Sequence, residues 1–363
     1  MSLRIGIIGL PNVGKSTLFN ALTKSDIEAE NYPFCTIDPN VGIVEVPDER
    51  LGKIDSIIKS KKIIKTAIEF VDIAGLVKGA SKGEGLGNKF LSNIRNVDAI
   101  IHVVRCYKNE NITHVEGNID PVRDIEIIET ELILKDIETI TNRIEKIKRE
   151  VKAGKRLKEN EALKMILDHL NAGHNLNKLN LDNDILNEFN LLTDKPILFS
   201  INIDENQINN KNKTNLLNDL ELYLDNRSEK YLHICSSLEQ EISILEEEEQ
   251  SEYLNEFNLK EPALNTLIKT AYKILSLHTF FTAGPQEIRA WAIKLNDTAY
   301  DAAGKIHTDF QRGFIKAEIY HYNDLMRYKS ELHVKEAGLI RQEGKDYTMK
   351  DGDMVLFKFN VTN

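Results

Sequence analysis

The pattern Gly-x-x-x-x-Gly-Lys-Ser at residues 9–16 constrains this 363-residue chain more than any other segment. It directly follows the apolar run Ile5–Ile8, and a strand before the loop is the context that a phosphate-binding loop requires. The two glycines let successive backbone N–H groups turn toward one anion, Lys15 adds a positive charge, and Ser16 offers a hydroxyl group to Mg²⁺. The sequence therefore predicts that the chain binds a nucleoside triphosphate.

The composition is that of an ordinary soluble protein with two or three domains. Hydrophobic residues make up 41% of the chain, which is enough for a sizeable core. The net charge of −10 argues against a generally basic surface, so an RNA contact requires a local basic patch. Cys35, Cys106 and Cys235 are too widely spaced for a zinc knuckle, and no run of 18 apolar residues occurs. We therefore expect a cytoplasmic protein that makes no membrane contact.

Five short apolar runs alternate with helix-like segments, which is the pattern of a parallel α/β domain. The runs are residues 5–8, 67–71, 99–104, 197–201 and 232–235. This alternation stops after residue 105, where about ninety residues carry almost no strand signal. A helical insertion is therefore predicted at residues 125–195.

The predicted insertion carries a heptad pattern of apolar residues at 133, 137, 140, 144, 147 and 151. Gly154 interrupts the pattern and similar spacing resumes at Leu163, which predicts an antiparallel helical hairpin that turns near residues 153–155. Residues 143–158 contain eight Lys or Arg and two Glu. This basic tip is a candidate contact for an RNA phosphate backbone, and a solvated lysine-rich helix face is the alternative.

From about residue 278 the sequence predicts a small α+β module. Strands are expected at residues 279–282, 289–294, 315–320 and 354–359, with a helix at 298–310. A helix-like segment at residues 263–277 joins this module to the preceding domain.

A carboxylate for Mg²⁺ follows the run 67–71, where Asp72 opens the pattern Asp-x-x-Gly. Behind a phosphate-binding loop, an acid at this place holds the water shell of Mg²⁺. Thr36 lies between the two motifs in a turn-rich segment, where a switch loop brings a further ligand. The predicted Mg²⁺ ligands are therefore Ser16 and Thr36, with Asp72 acting through water.

The residues that select the base are expected after the run 197–201, where GTPases carry Asn-Lys-x-Asp. Here residues 202–205 read Asn-Ile-Asp-Glu, so the lysine is absent and a longer glutamate replaces the aspartate. These departures argue against guanine selectivity. Adenine presents an amino group where guanine has a carbonyl, and Asn202 with the backbone of Ile203 can read it, beside the loop at 235–237.

The residue after Asp-x-x-Gly is Leu76, where Ras-like GTPases place the glutamine that orients the attacking water. An apolar side chain cannot position water, so hydrolysis is expected to be slow or to use another group. His114, in a polar loop after the run 99–104, is the candidate for that group. An ordinary loop histidine is the alternative.

Four segments together are similar to the YchF branch of the Obg-like P-loop NTPases. They are GLPNVGKS at 9–16, NYPFCTIDPN at 31–40, DIAGLVKGA at 72–80 and NIDE at 202–205. Residues 281–284, 287–291 and 304–310 resemble the ubiquitin-like TGS domain of that family. The resemblance implies a TRAFAC G-domain at residues 1–277, an α/β P-loop NTPase fold with a parallel-type sheet. It also implies that the coiled-coil hairpin at 125–195 is inserted in this domain and that a β-grasp TGS domain occupies 278–361.

The resemblance further implies an ATPase that binds the ribosome and prefers ATP over GTP. With the predicted Mg²⁺ ligands and the basic tip, we expect a Mg²⁺-dependent monomer that contacts RNA through the hairpin tip. The site residues that it implies are Asn12, Val13, Gly14, Lys15, Ser16 and Thr17 at the phosphates and Asn202 and Ile203 at the adenine. Ser236, in the loop at 235–237, is also expected beside the base. Lys15 is expected to stabilise the transition state, and Asn12 is expected to bind K⁺. A GTP-driven ribosome-assembly switch of the wider Obg group and a non-enzymatic scaffold locked by ATP are the alternatives.

Overall fold

Six strands form the first sheet in the computed structural model, which describes residues 3–23, 40–73, 86–176, 179, 189–210 and 213–360. Their spatial order is β2 (Val41–Glu45), β4 (Ala67–Asp72), β1 (Arg4–Ile8), β5 (Ala99–Arg105), β6 (Ile197–Asn202) and β7 (Lys230–Ile234). From β4 to β7 in this order, neighbouring strands pair in parallel. The predicted parallel α/β sheet is confirmed, and β2 is a strand that the apolar pattern missed.

The carboxyl ends of the parallel strands meet at one edge of this sheet. The register aligns Ile7 with Asp72 and Arg105 with Asn202, so residues that follow these strands are close together. Every residue of β5 and β6 is buried, and a sheet of this kind is covered by helices. The helices of this part include α1 (Lys15–Thr23), α3 (Leu86–Arg95), α6 (Asn215–Asn226), α7 (Ser236–Ile242), α8 (Glu247–Glu256) and α9 (Ala263–Ile274).

The helical hairpin is confirmed as α4 (Pro121–Lys152) and α5 (Leu157–Asn171), so it begins at Pro121 rather than at residue 125. Its heptad residues are buried against each other in one cluster that includes Ile140, Ile147, Leu163 and Ile166. Gly154 (φ 76°) and Arg156 (φ 53°) adopt left-handed conformations, which turns the chain between the two helices.

A second sheet contains six strands in the order β11 (Arg341–Glu343), β10 (Phe314–His321), β12 (Asp353–Phe359), β8 (Leu277–Ala283), β9 (Ile288–Lys294) and β3 (Ile63–Ile64). The four predicted C-terminal strands are therefore confirmed. The accompanying helices are α2 (Glu49–Ile58), α10 (Ala299–Ile306), α11 (Thr308–Arg312), α12 (Tyr322–Tyr328) and α13 (Glu331–Glu336). The single helix predicted at 298–310 is wrong, because His307 is extended (φ −163°, ψ 147°) and caps the second of two helices.

The described residues fall into two compact units. One contains residues 3–23, 40–43 and the described part of 69–267, and the other contains 44–68 and 268–360. Residues 44–68 belong to the second unit because β3 pairs with β9 and because Leu51 and Ile54 of α2 pack against Phe281. The two compact units therefore do not follow the predicted domain boundary at residue 277. That boundary stays a prediction about functional domains.

Candidate functional site

The segment between β1 and α1 has the backbone of a phosphate-binding loop. Gly9 (φ 153°) and Gly14 (φ 104°) adopt conformations that favour glycine. A Cβ atom at Gly9 would lie 2.5 Å from the carbonyl oxygen of Val103, and one at Gly14 would lie 2.3 Å from Nδ2 of Asn202. The loop leads into the N-terminus of α1, whose partial positive charge favours an anion.

Lys15 begins α1, and its ammonium group contacts the loop itself. The side chain is 7% exposed, and Nζ donates a hydrogen bond of 2.8 Å to the carbonyl oxygen of Leu10. Burial lowers the pKa of Lys15 to about 8, although the Asp72 carboxylate acts in the opposite direction. A phosphate group bound here would stabilise the charged form of this lysine.

Ser16 and Asp72 meet where β4 ends, as the sequence predicted for a Mg²⁺ site. Ser16 Oγ donates to Asp72 Oδ2 over 3.2 Å, and Asp72 Oδ1 is buried with no hydrogen-bond partner among the described residues. Hydroxyl and carboxylate oxygens are ligands that Mg²⁺ prefers, so this pair fits the ion. Thr36 and Leu76 lie outside the described residues, and their roles stay predictions.

Asn202 links the phosphate-binding loop to the loop that follows β7. Its Nδ2 donates to the carbonyl oxygen of Val13 over 2.8 Å, and its Oδ1 accepts from the N–H of Ser236 over 3.1 Å. Within the described part of the chain, the buried Ser236 hydroxyl has no hydrogen-bond partner. The structure therefore brings together three of the segments that the sequence assigned to the nucleotide.

The backbone N–H of Ile203 is already bonded, and its side chain is buried. Its N–H donates to the carbonyl oxygen of Ile234 over 3.0 Å, so a base contact through this group would have to replace that bond. Its side chain lines a cavity of about 250 Å³ together with Cys235 and Leu238. Glu205, in contrast, is exposed at the start of a short 3₁₀-helix (Glu205–Asn210).

His114 lies beside the phosphate-binding loop, but its ring is buried. Nε2 is 2.8 Å from Asp124 Oδ2, and Nδ1 accepts a hydrogen bond of 3.2 Å from the N–H of Glu116. The adjacent carbonyl oxygen of Thr113 accepts from Nδ2 of Asn12 over 3.2 Å. Both ring nitrogens are thus occupied, so a catalytic role would require the Asp124 bond to open, and that role stays a prediction.

The sequence analysis missed Arg105, which organises the same loop. Arg105 is fully buried at the end of β5, and its guanidinium donates to the carbonyl oxygens of Tyr107, Asn109 and Ile112 at 3.1–3.2 Å. A guanidinium bonded to three carbonyls restricts the loop to one conformation. The sequence signal that points to it is an arginine at the end of a strand whose other residues, apart from His102, are apolar.

Two family models match the chain. One, described as a 50S ribosome-binding GTPase, matches residues 4–143, and the YchF-GTPase C-terminal model, described as a protein of unknown function, matches residues 277–360. The ribosome-binding ATPase YchF of Pasteurella multocida is 46% identical over 99% of this chain and 100% of its own length. The Bacillus subtilis protein of the same name is 47% identical with the same coverage. The chain belongs to the YchF family.

The similarity to the YchF family extends to three-dimensional structure. The solved YchF GTPase of Schizosaccharomyces pombe superimposes with a TM-score of 0.88 at 38% identity, covering 98% of both chains. This match confirms the predicted α/β P-loop NTPase fold and the YchF-type C-terminal domain. As a member of the YchF family, the chain is a P-loop nucleoside-triphosphate hydrolase.

Among the described residues, no helix has the length and apolar character needed to cross a membrane.

Proposed function

We propose that the chain is a Mg²⁺-dependent ATPase that binds the ribosome, hydrolyses ATP to ADP and prefers ATP over GTP. The observation that carries this proposal is the convergence of Lys15, the Ser16–Asp72 pair and Asn202 on one phosphate-binding loop. The relatives from P. multocida and B. subtilis, at 46% and 47% identity, are named ribosome-binding ATPases, which supports the same substrate and partner here.

Each residue of the loop has a specific role in this proposal. Backbone N–H groups of residues 12–17 bind the phosphates, and Lys15 stabilises the negative charge on the transferred phosphoryl group. Ser16 and Thr36, with Asp72 acting through water, would hold Mg²⁺, which would supply positive charge to neutralise the outer phosphates. The side chain of Asn12 is exposed, and its amide oxygen is the atom that we assign to K⁺.

Replacing Ser16 by alanine is expected to raise the Mg²⁺ concentration needed for half-maximal ATP binding by about tenfold or more, because a ligand hydroxyl is lost. Displacement of a fluorescent nucleotide across a Mg²⁺ titration measures this. ATP binding in EDTA, without added Mg²⁺, is the control, since wild type and variant should bind metal-free ATP equally. An unchanged Mg²⁺ midpoint would show that Ser16 is not a metal ligand.

The preference for ATP is supported by the side chains at residues 203 and 205. A guanine-binding aspartate accepts two hydrogen bonds at a fixed distance, and Glu205 is one methylene longer at that place. Ile203 stands where guanine-binding proteins have lysine, and it is 6% exposed and lines the cavity of about 250 Å³. Substituting lysine there would bury an ammonium group, so Ile203 is unsuitable for a test of base selectivity.

Changing Glu205→Asp is expected to shift the ratio of GTP to ATP affinity toward GTP by about fivefold or more, because a bidentate base contact contributes about 1–3 kcal/mol. Calorimetric titration with each nucleotide measures the ratio. Glu252→Asp, the same change at an exposed position of α8, is the matched control. If the wild type binds GTP as tightly as ATP, the GTP-driven switch is the correct function instead.

We further propose that the hairpin tip contacts ribosomal RNA, that the TGS-like C-terminal unit adds a second contact, and that the protein is a cytoplasmic monomer. Exposed basic residues at the tip that have no ion pair within the described residues are Lys146, Arg149, Lys152, Lys155 and Lys158. Arg143, Lys148 and Arg156 are instead paired with glutamates. The unpaired set is therefore available for phosphate groups.

A further inference from the structure

The bond between His114 and Asp124 joins the phosphate-binding loop to the hairpin. Nδ1 of His114 accepts from the N–H of Glu116, so Nε2 carries the proton and donates it to Asp124 Oδ2 over 2.8 Å. Both side chains of this pair are 3% exposed. The carbonyl carbon of Thr113 is covalently bonded to the His114 nitrogen, and its oxygen holds Asn12. A displacement of His114 therefore moves the contact to the phosphate-binding loop.

Asp124 is held rigidly to the first turn of α4. Its Oδ1 accepts a hydrogen bond of 3.1 Å from Nη2 of Arg123, and its N–H donates to the carbonyl oxygen of Asp120 over 3.0 Å. Asp120 also caps α4, by accepting from the N–H of Arg123. Because both carboxylate oxygens and the backbone are bonded, the orientation of α4 determines the position of this carboxylate.

The remainder of α4 is the first half of the hairpin. It continues without interruption for 32 residues. The helix rise places Arg149, at the basic tip, about 38 Å from Asp124 along the axis. One continuous helix thus has the candidate RNA contact at one end and the partner of His114 at the other.

We propose that Asp124 is a positioning residue, which holds His114 and, through Thr113 and Asn12, aligns the phosphate-binding loop with the base of the hairpin. The inference rests on the proposed function, because it makes α4 the element through which a ribosome at the tip alters ATP hydrolysis. A carboxylate with a merely structural role would stabilise the fold without changing the response of hydrolysis to the partner.

Steady-state ATP hydrolysis by Asp124→Asn, with and without purified ribosomes, tests this. The variant is expected to lower kcat with ribosomes by about fivefold or more, with less than a twofold change in KM for ATP. Glu126→Gln is the matched control, because it removes one negative charge from an exposed position on the same turn of α4. If Asp124→Asn does not fold, Asp124→Glu, which displaces the carboxylate by one methylene, takes its place with the same expectation.

The imidazole ¹⁵N signals of His114 are a second readout that needs no ribosomes. We expect one Nε2-protonated tautomer in the wild type and a mixture in Asp124→Asn. Unchanged signals overturn the positioning role. If the wild type responds to ribosomes and Asp124→Asn responds equally, the inference is overturned while the proposed function stands. If wild-type hydrolysis does not respond, the proposed function and its coupling to α4 fail together, and the ¹⁵N signals alone decide how Asp124 positions His114.

Discussion

Lys15→Met is expected to weaken ATP binding by about a hundredfold or more, because charge-assisted bonds to the outer phosphates contribute up to about 3 kcal/mol. Methionine has a similar length and fills the buried space that the lysine stem occupies. The loop should therefore keep its shape and lose only the charge. Isothermal titration calorimetry with MgATP measures the loss.

The nucleotide-free Lys15→Met protein is expected to be at least as stable as the wild type. Burial lowers the pKa of Lys15 from its usual value of 10.5 to about 8, so the charged form costs on the order of 3 kcal/mol in the free protein. Losing the donor to Leu10 costs about 1 kcal/mol.

Between pH 8 and 10.5 the unfolded wild type binds more protons than the folded protein, so its stability rises with pH in this window. The variant should lose both this rise and the increase in Tm that ATP produces.

Lys195→Met is the matched control for Lys15→Met, since Lys195 is also 7% exposed. Its Nζ donates to the carbonyl oxygens of Arg95 and Val97 and to Oδ1 of Asn190. Its replacement should destabilise the protein by about 1–3 kcal/mol, because buried acceptors lose their donor, without changing ATP affinity. A folded Lys15→Met protein that binds ATP within tenfold of wild type would show that this loop does not bind phosphate through Lys15.

Replacing Arg149, Lys152 and Lys155 by glutamine is expected to weaken ribosome binding about tenfold or more at physiological salt. Each phosphate contact that is lost means that fewer counterions are released on binding. The slope of log affinity against log salt should therefore become less steep by about 2–3 in total. Glutamine is preferable to glutamate, because Arg149 and Lys152 lie in the last turn of α4, where a negative charge opposes the helix dipole. Co-sedimentation with ribosomes over a salt series measures both quantities.

A triple variant with exposed lysines away from the hairpin is the control for the tip. Lys213, Lys230 and Lys260 are exposed and lie outside both the hairpin and the C-terminal unit, and replacing them by glutamine changes the net charge by the same amount. This control should keep the wild-type salt dependence, and both variants should keep wild-type ATP affinity. Equal ribosome binding by the tip variant and the control would exclude the tip and direct the search to the TGS-like unit.

Features encoded in short segments were predictable from the sequence. The phosphate-binding loop needs its own eight residues, a strand before it and a helix after it, and all three are present. The hairpin was predictable because an apolar heptad and Gly154 determine helix packing and the turn locally. The pairing of Ser16 with Asp72 was predictable because parallel strands align their carboxyl ends.

Features that depend on partners distant in the chain were not predictable. The strand β3 has two residues, and it is stable because β9 supplies its hydrogen bonds. The break at His307 has no glycine or proline at the position itself, and the apolar spacing continues across it, although Gly304 lies three residues before it. The sequence placed His114 in a polar loop, whereas the structure buries its ring against Asp124 on the next helix.

The sequence by itself determined that this chain has a phosphate-binding loop, an aspartate placed beside the serine of that loop and a long basic hairpin, because each depends on residue types at short spacing. The tertiary structure decided which side chains remain available at that site. Asn202 links two loops, the N–H of Ile203 is bonded to the carbonyl oxygen of Ile234, and His114 is bonded to Asp124 of α4. The physical reason is that buried polar groups must be hydrogen-bonded, and the partners that satisfy them are supplied by the packing of distant segments.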